Sequence, residues 1–362
     1  MSSVNNQLKE FFSSNLKSDK KIVVSSRGTS KRLNLKSYLS SKDQLFDHVE
    51  PNPNLTQLID FFHAVKLDSE TTVVAIGGGS VIDFSKLVSL FYDINIDDVR
   101  IQIESGSYRY LDNALKLVVI PTLYGSGAEQ TPFAVCYIGN RKYSVSSPKL
   151  LPKTIYYIST FSESIPIPVK EENILDCFCQ ASESLTSVNA NELSKSYAVR
   201  AINLLVEYGL DYVGMNKHVN EIMKASEYCG KAIGISKTTG PHALSYHLTS
   251  AHALPHGRAV GLSFLYFLQL YSSPKYKELN QLIDFFEQLS ISFNCGIEEL
   301  IVVIPKFFND LGLNASGIKK SISSRLDYGD WYNSVNLERL VNGPHIAEED
   351  FNEATLKSFI IN

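Results

Sequence analysis

Three consecutive glycines, Gly77 to Gly79, follow an apolar β-branched segment and precede an amphipathic one that begins at Val81. The order of strand, glycine turn and helix is typical of a layered α/β domain. Because glycine has no Cβ atom, the main chain can approach a bulky anion there, and the first N–H groups of the helix point at it. The spacing is not G-x-G-x-x-G, so the run by itself fits a nucleotide pyrophosphate and an ordinary turn equally well.

The first part of the chain repeats this alternation of strand and helix. We expect extended segments at Lys21 to Ser25, Val73 to Ile76 and Leu117 to Ile120, and helices at Leu55 to Val65 and Val81 to Tyr92. Such alternation predicts helices packed on a largely parallel sheet. After Pro166 and Pro168 the β-branched runs end and helical periodicity takes over. The sequence therefore predicts an α/β domain in residues 1–167 and an all-helical domain in residues 168–362.

The charge balance limits the partners of the chain. Its 34 basic and 38 acidic residues form no long run of either sign, which argues against a nucleic-acid or anionic-membrane surface. Met1 to Lys21 lacks the layout of a signal peptide, and no stretch approaches the roughly 20 apolar residues of a membrane span. We expect a cytoplasmic protein with small-molecule partners, no nucleic acid and no membrane. Its five cysteines contain no C-x-x-C pair, so reduced thiols are expected.

Four of the eight histidines lie between His242 and His256. On one straight helix these two residues would be about 21 Å apart, too far to share an ion. Pro255 and Gly257 flank His256, however, and both are poor residues for a helix interior. We therefore expect the helix to end before Pro255 and His256 to come from a turn, which would make a shared site feasible.

Asp176 and Gln180 are separated by four positions and so share one helix face. Asp176 with His242 and His256 is a ligand set that suits zinc with an open position or iron(II). The alternative is an acidic residue at a helix N-terminus, where its charge is favourable, and an unrelated surface cluster of histidines.

In their order and spacing these motifs resemble the iron-containing, group III alcohol dehydrogenases, which share their fold with glycerol dehydrogenase and dehydroquinate synthase. The segment from Gly77 to Lys86 is similar to the pyrophosphate loop of that family, and Pro121 to Glu129 is similar to its second cofactor loop. Asp176 and Gln180 fall on its D-x-x-x-H pair. The likeness runs from about Pro51 to Pro344.

The resemblance implies a dehydroquinate-synthase-like fold, with an N-terminal Rossmann-like nucleotide-binding domain and a C-terminal metal-binding domain. It also implies an alcohol dehydrogenase that reduces an aldehyde with a divalent metal, Fe2+ or Zn2+, and with NADPH or NADH. The implied metal ligands are Asp176, Gln180, His242 and His256. The implied cofactor-binding residues are Gly77, Gly78, Gly79, Ser80, Asp83, Thr122, Leu123, Ser126 and Lys142.

Two departures from the family pattern bear on the chemistry. Gln180 replaces a histidine, and its neutral carboxamide oxygen is a weaker ligand that either coordinates loosely or only orients a water molecule. Tyr246 stands where many members have an additional histidine implicated in proton movement, and His247 and His252 are candidates to replace it. Tyr246, His247 and His252 are therefore the candidate catalytic residues.

Less specific motifs, among them Ser187 to Asn189 and His242 to Tyr246, resemble those of the phosphonoacetaldehyde reductases of phosphonate biosynthesis. That branch implies reduction of phosphonoacetaldehyde to 2-hydroxyethylphosphonate, or of a similar small aldehyde. Arg27 follows the first strand, where an NAD-selective enzyme tends to carry an acidic residue, and so favours NADPH. The alternative for Arg27 is a solvated loop charge.

Two other functions stay open. One is a sugar phosphate cyclase of the dehydroquinate synthase type, a lyase, although its first metal ligand is a glutamate and this chain has Asp176. The other is a non-catalytic nucleotide-binding relative, because Leu123 and Ala128 replace hydroxyl residues of the second cofactor loop. The resemblance also leaves a homodimer open.

Overall fold

The structure is a computed structural model that describes residues 2–14, 20–139 and 141–361. The chain divides into two compact units, one formed by Met1–Leu123 with Gly127–Ser164 and the other by Tyr124–Ser126 with Ile165–Asn362. We call them the α/β unit and the helical unit, because the second contains only helices among its described elements. The predicted fold class is confirmed.

The α/β unit contains a parallel sheet and a separate antiparallel pair of strands. Its strands are β1 (Lys21–Ser25), β2 (Gln44–Phe46), β3 (Thr72–Gly77), β4 (Leu117–Pro121), β5 (Phe133–Ile138), β6 (Arg141–Ser146) and β7 (Thr154–Ile155). Its helices are α1 (Ser2–Ser14), α2 (Arg27–Leu33), α3 (Leu55–Ala64), α4 (Gly79–Phe91) and α5 (Ile96–Ser105). The five parallel strands have the order β2-β1-β3-β4-β7, and β5 pairs with β6. The expected strands and helices of this unit are all present.

Successive residues of the central strands face opposite sides of the sheet. Ile22 and Val73 belong to a core cluster with α3, α4 and α5, whereas Val23, Val74 and Val118 belong to a cluster with α1. Because helices cover both faces, β1, β3 and β4 are continuous apolar runs without alternation.

The strand order reverses between β1 and β3, since β2 adjoins β1 on one side and β4 adjoins β3 on the other. Open parallel sheets bind ligands in the crevice at the carboxyl ends of the strands where the order reverses. Gly77 is the last residue of β3, and Gly79 is the first residue of α4. The glycine run therefore lies at the switch point of this sheet.

The helical unit is arranged around one buried helix. Its helices are α6 (Ile167–Thr186), α7 (Glu192–Met215), α8 (Val219–Ser236), α9 (Gly240–His252), α10 (His256–Tyr271), α11 (Asn280–Phe293), α12 (Leu300–Asp310), α13 (Ala315–Ile322), α14 (Tyr328–Asn333), α15 (Leu337–Leu340) and α16 (Glu353–Ile361). In α6 every residue from Ile174 to Thr186 is buried, and the helix contacts α7, α8, α9, α10 and α11. Asp176 is therefore in the interior of α6, which rules out the alternative that it caps a helix N-terminus.

The chain leaves α9 at His252, which confirms the predicted helix end before Pro255. Ala253 closes the helix in the left-handed conformation, with φ of 53°. The expectation that His256 lies in a turn is wrong, because His256 is the first residue of α10. Pro255 precedes it with φ of −53°, and a proline fixed near this angle suits the residue that leads into a helix.

None of the helices in the described ranges is both long and apolar enough to cross a membrane. None of the five cysteines, all of which lie in the described ranges, forms a disulfide bond.

Candidate functional site

Asp176, His242 and His256 come together from three helices, α6, α9 and α10. Oδ1 of Asp176 lies 3.3 Å from Nε2 of His242 and 3.7 Å from Nε2 of His256. One donor atom from each of the three residues lies within 4.8 Å of the other two. Among the residues that the structure describes, no other group of three or more His, Cys, Asp or Glu side chains is close enough to hold a metal ion.

Two atoms of this cluster lack the partner that burial demands. Oδ1 of Asp176 and Nε2 of His242 are buried, face each other and make no hydrogen bond. A buried polar atom without a partner costs about 1–3 kcal/mol. A divalent cation bound by the carboxylate oxygen and the imidazole nitrogen would satisfy both atoms, so the residues present fit a metal site. The side chain of His256 is 40% exposed, which leaves the cluster accessible on that side.

Glu183 holds His242 from the side away from Asp176. Its Oε1 lies 2.5 Å from Nδ1 of His242, and its Oε2 accepts hydrogen bonds from the backbone N–H groups of Thr239 and His242. A carboxylate bonded to the second nitrogen of a histidine fixes the ring and its tautomer. Sequence analysis did not assign Glu183 to the site. One sequence feature could have indicated Glu183. It follows Asp176 by seven residues, which is two turns along the same face of a helix whose other residues there are largely apolar.

The electrostatics of the cluster favour positive charge. Burial by itself lowers the pKa of His242, but the carboxylates of Glu183 and Asp176 outweigh it and raise this pKa to about 10. Burial raises the pKa of Asp176, but His256 and His242, with a hydrogen bond from Gln180, outweigh it and lower this pKa. A divalent cation supplies the same compensating charge.

Gln180 lies in the same buried cluster, one turn after Asp176. Its Nε2 donates a hydrogen bond of 2.9 Å to Oδ2 of Asp176, and its Oε1 lies 3.2 Å from Sγ of Cys229 on α8. The predicted shared helix face of Asp176 and Gln180 is therefore present.

A close approach of α10 to α6 brings His256 to Asp176. A Cβ atom on Gly257 would lie 2.1 Å from the carbonyl oxygen of Glu172, which is one turn before Asp176. Glycine is required at position 257 because no other residue leaves room for this contact.

The candidate catalytic residues all lie on α9. Tyr246 is one turn after His242, on the same helix face. The rings of His247 and His252 are 5.5 Å apart, and Asp327 and Asp330 influence the pKa of His247. Burial is the main cause that lowers the pKa of both histidines. His247 and His252 therefore lie beside each other and are not part of the cluster of Asp176, His242 and His256.

The two candidate cofactor loops are in contact within the α/β unit. The N–H of Thr122 donates a 3.0 Å hydrogen bond to the carbonyl of Gly77. A Cβ atom on Gly78 would lie 2.8 Å from Cδ1 of Leu123, so the leucine that departs from the family pattern closes over the glycine run. Oγ of Ser80 accepts a hydrogen bond from the N–H of Asn52. Ser126 lies in the short segment that groups with the helical unit.

Asp83 lies near these loops, and the charge of Lys142 acts on the pKa of its carboxyl group. Burial raises the pKa of Asp83, and the charges of Lys86 and Lys142 only partly offset it. Asp83 accepts a hydrogen bond from the N–H of Val135 through its Oδ2.

Lys86 is a buried residue that sequence analysis did not assign to the site. Its Nζ donates to the carbonyl oxygens of Ala128, Thr131 and Phe133, at 2.6–2.8 Å. It therefore holds the end of the second cofactor loop and the chain that follows it. The sequence feature that could have indicated Lys86 is a lysine one turn after Asp83, in a helix where the neighbouring residues are buried.

Comparison with known proteins decides the family. The iron-containing alcohol dehydrogenase model matches residues 4–158, and the C-terminal model of the Fe-containing alcohol dehydrogenase family matches residues 172–322. The chain belongs to the iron-containing alcohol dehydrogenase family. The recognition made from the sequence is thereby confirmed.

Two of the curated relatives match a little over half of the chain. The 4-hydroxybutyrate dehydrogenase of Clostridium kluyveri is 28% identical over 227 residues, 58% of this chain and 58% of that protein. The phosphonoacetaldehyde reductase of Streptomyces viridochromogenes is 30% identical over 200 residues, 52% of this chain and 50% of that protein. The chain thus spans little more than half the length of these relatives.

Solved structures share the fold over nearly the whole chain. The sulfoacetaldehyde reductase of Bifidobacterium kashiwanohense, solved in complex with NAD+, superposes with a TM-score of 0.81, 22% identity, and coverage of 98% of this chain and 94% of that one. An iron-containing alcohol dehydrogenase of Thermotoga maritima gives a TM-score of 0.77, 21% identity, and coverage of 99% and 96%.

Proposed function

We propose that this member of the iron-containing alcohol dehydrogenase family reduces a small aldehyde, with a divalent metal and a nicotinamide cofactor. The observation that carries the proposal is the pair of buried atoms without hydrogen bonds, Oδ1 of Asp176 and Nε2 of His242, that face each other within the reach of His256. Family membership supports it, because the family is one of iron-containing alcohol dehydrogenases.

In this proposal Asp176, His242 and His256 hold Fe2+ or Zn2+. The bound ion supplies Lewis-acid polarisation of the carbonyl oxygen of the substrate. Glu183 accepts the Nδ1 proton of His242, which leaves the lone pair of Nε2 available to an ion held beside Oδ1 of Asp176. The exposed edge of His256 is the side from which a small substrate reaches the cluster. Tyr246, His247 and His252 stay candidates for proton movement.

The glycine run is the proposed cofactor site. The N–H groups at the start of α4 follow Gly77 and Gly78 at the switch point, where a pyrophosphate binds in folds of this kind. The nicotinamide cofactor supplies the hydride. The proposed cofactor residues are those of the two loops and their neighbours, namely Gly77, Gly78, Gly79, Ser80, Asp83, Thr122, Leu123, Ser126 and Lys142. Arg27 is exposed directly after β1, which supports a preference for NADPH.

Phosphonoacetaldehyde is the proposed substrate. The relative from Streptomyces that is 30% identical is named for reduction of this aldehyde, and motifs of this chain resemble the same branch. The name of the solved sulfoacetaldehyde reductase describes an aldehyde of similar size that also carries an anionic group. We propose that the protein is cytoplasmic and that its partners are small molecules. A monomer and a homodimer are both consistent with this function.

The test is a screen for metal-dependent oxidation of NADPH and NADH by small aldehydes. It includes phosphonoacetaldehyde and sulfoacetaldehyde and, for the reverse reaction with NAD+ or NADP+ supplied, 4-hydroxybutyrate. We expect stoichiometric oxidation of NADPH with phosphonoacetaldehyde, and loss of both metal and activity in Asp176→Ala. Full metal content and activity in that variant would overturn the site. A metal-loaded protein that consumes no cofactor with any of these compounds would favour a cyclase of the dehydroquinate synthase type, and failure to bind metal would favour a non-catalytic relative.

A further inference from the structure

We infer that Gln180 is a positioning residue for Asp176 and not a metal ligand, and that the thiol of Cys229 fixes its orientation. The inference rests on the proposed metal site. It replaces the ligand role that the family resemblance implied for Gln180.

The two ends of the Gln180 amide can be told apart chemically. A carboxylate only accepts hydrogen bonds, so the amide group that faces Oδ2 of Asp176 at 2.9 Å must be the NH2. The amide oxygen then points the other way, where Sγ of Cys229 lies 3.2 Å from it and the thiol can donate. Amides ligate metals through the oxygen, and here that oxygen is turned toward a thiol.

The hydrogen bond from Gln180 restricts the carboxylate of Asp176. With Oδ2 held by the amide, rotation of the carboxylate is limited and Oδ1 stays directed at Nε2 of His242. Oδ1 is the oxygen without a hydrogen bond, and Oδ2 is the one that has a partner. The two oxygens therefore have separate tasks, one for orientation and one for the metal.

Burial makes this arrangement rigid. The exposed fractions of Gln180 and Cys229 are 5% and 0%, so water does not compete for the amide. Cys229 lies on α8, which supplies none of the three proposed ligands, and its Sγ also lies 3.4 Å from the carbonyl oxygen of Cys177. Through this thiol, α8 supports a metal site formed by α6, α9 and α10.

The experiment measures Co2+ binding to the metal-free protein by chelator competition and by the visible absorption of the bound ion. The variants are Gln180→Leu, which keeps the bulk of the side chain without its hydrogen bonds, Cys229→Ala, Cys229→Ser and the Gln180→Leu/Cys229→Ala double variant. We expect Gln180→Leu to weaken Co2+ binding roughly 10- to 100-fold, as loss of outer contacts to a ligand does, with an unchanged absorption spectrum. Gln180→His adds a ligand and is expected to change the spectrum.

Substitutions at Cys229 distinguish a role in positioning Gln180 from a role in packing alone. Cys229→Ala is expected to weaken Co2+ binding, whereas Cys229→Ser retains a donor and is expected to restore it. In the Gln180→Leu background, Cys229→Ala should have no further effect, because the thiol acts through the amide. If Gln180→Leu does not fold, the comparison of alanine and serine at position 229 still tests the amide orientation.

The following results would overturn the inference. A Co2+ spectrum that changes in Gln180→Leu would make Gln180 a ligand. Wild-type affinity in Gln180→Leu, or an additive effect of Cys229→Ala, would remove the positioning role. A wild-type protein that binds no Co2+ would overturn the metal site itself, and this result is distinct from the others because it does not depend on the variants.

Discussion

At the scale of single residues, Glu183 is the side chain that most constrains the proposed metal site. It is 1% exposed, and its two oxygens contact His242 and the start of α9. A buried carboxylate is costly unless it is paired and hydrogen-bonded. Here it is both, which is consistent with a role in directing Nε2 of His242.

Replacing Glu183 with glutamine is expected to weaken divalent metal binding about 10- to 100-fold. Glutamine has nearly the same shape but no charge, so it orients the imidazole of His242 less strongly and makes Nε2 a weaker donor. Zinc affinity of the metal-free protein, measured by competition with a chromophoric chelator, checks this result.

The matched control is Glu227→Gln on α8. Glu227 pairs with Lys231 one turn later at 2.5 Å, and the two side chains are 27% and 34% exposed. Partly exposed pairs of this kind contribute only about 0.3–0.5 kcal/mol. Unchanged zinc affinity is expected for the control, and equal affinities in the two variants would contradict a special role for Glu183.

The sequence indicated the ligand cluster but not the contacts that orient it. The spacing of His242 and His256 made a site shared with Asp176 feasible and the family resemblance implied it, and the structure brings these three residues together. The orientation of Gln180 depends on Cys229, which is 49 positions away in the chain on another helix. No local pattern contains that information, because it arises from the packing of α6 against α8.

At the scale of secondary structure elements, the start of α10 matters most. Proline and glycine beside His256 predicted the helix break, but Gly257 has a further reason to be glycine. It lets the first turn of α10 touch the backbone of α6 at Glu172. This contact sets the position of His256 relative to Asp176.

Gly257→Ala is expected to weaken metal binding more than tenfold and to destabilise the helical unit by about 1–3 kcal/mol, the usual cost of overpacking. The added Cβ would lie 2.1 Å from a backbone oxygen, so α10 must move and carry His256 with it. Chelator competition and thermal unfolding measure the two effects.

Gly214→Ala on α7 is the control for this substitution. A Cβ atom at Gly214 meets no atom within 4 Å, so the change adds only helix propensity. Alanine is up to about 1 kcal/mol more favourable than glycine in a helix interior, and because Gly214 lies in the last turn of α7 a smaller gain in stability, with unchanged metal affinity, is expected. Tight metal binding by Gly257→Ala would show that the contact with Glu172 does not position His256.

Elements were predicted best where burial alone determines the pattern. The central strands are apolar throughout because helices cover both sides of the sheet, and they were found at their expected places. The helix α6 begins at Ile167, and Pro168 in its first turn is compatible with a helix and does not prevent one. The start of α10 at His256 was missed, since Pro255 ends one helix and leads into the next.

At the scale of the whole molecule, the three proposed ligands all belong to the helical unit. They come from α6, α9 and α10, which are distant in the chain, so their arrangement exists only when this unit is folded. A metal that binds the folded form and not the unfolded one adds its binding free energy to the stability of that form.

The only tryptophan of the chain, Trp331, makes this coupling measurable. It is 1% exposed on α14, and its indole N–H donates a 2.9 Å hydrogen bond to the carbonyl of Leu244 on α9, the helix that carries His242. Its fluorescence therefore reports the unfolding of the helical unit. With free zinc about 100-fold above the dissociation constant, this unit should gain about 2.7 kcal/mol, and a chelator should remove the gain. Asp176→Ala should unfold at the same temperature with zinc or chelator, and a zinc-dependent shift of equal size in that variant would place the bound ion elsewhere.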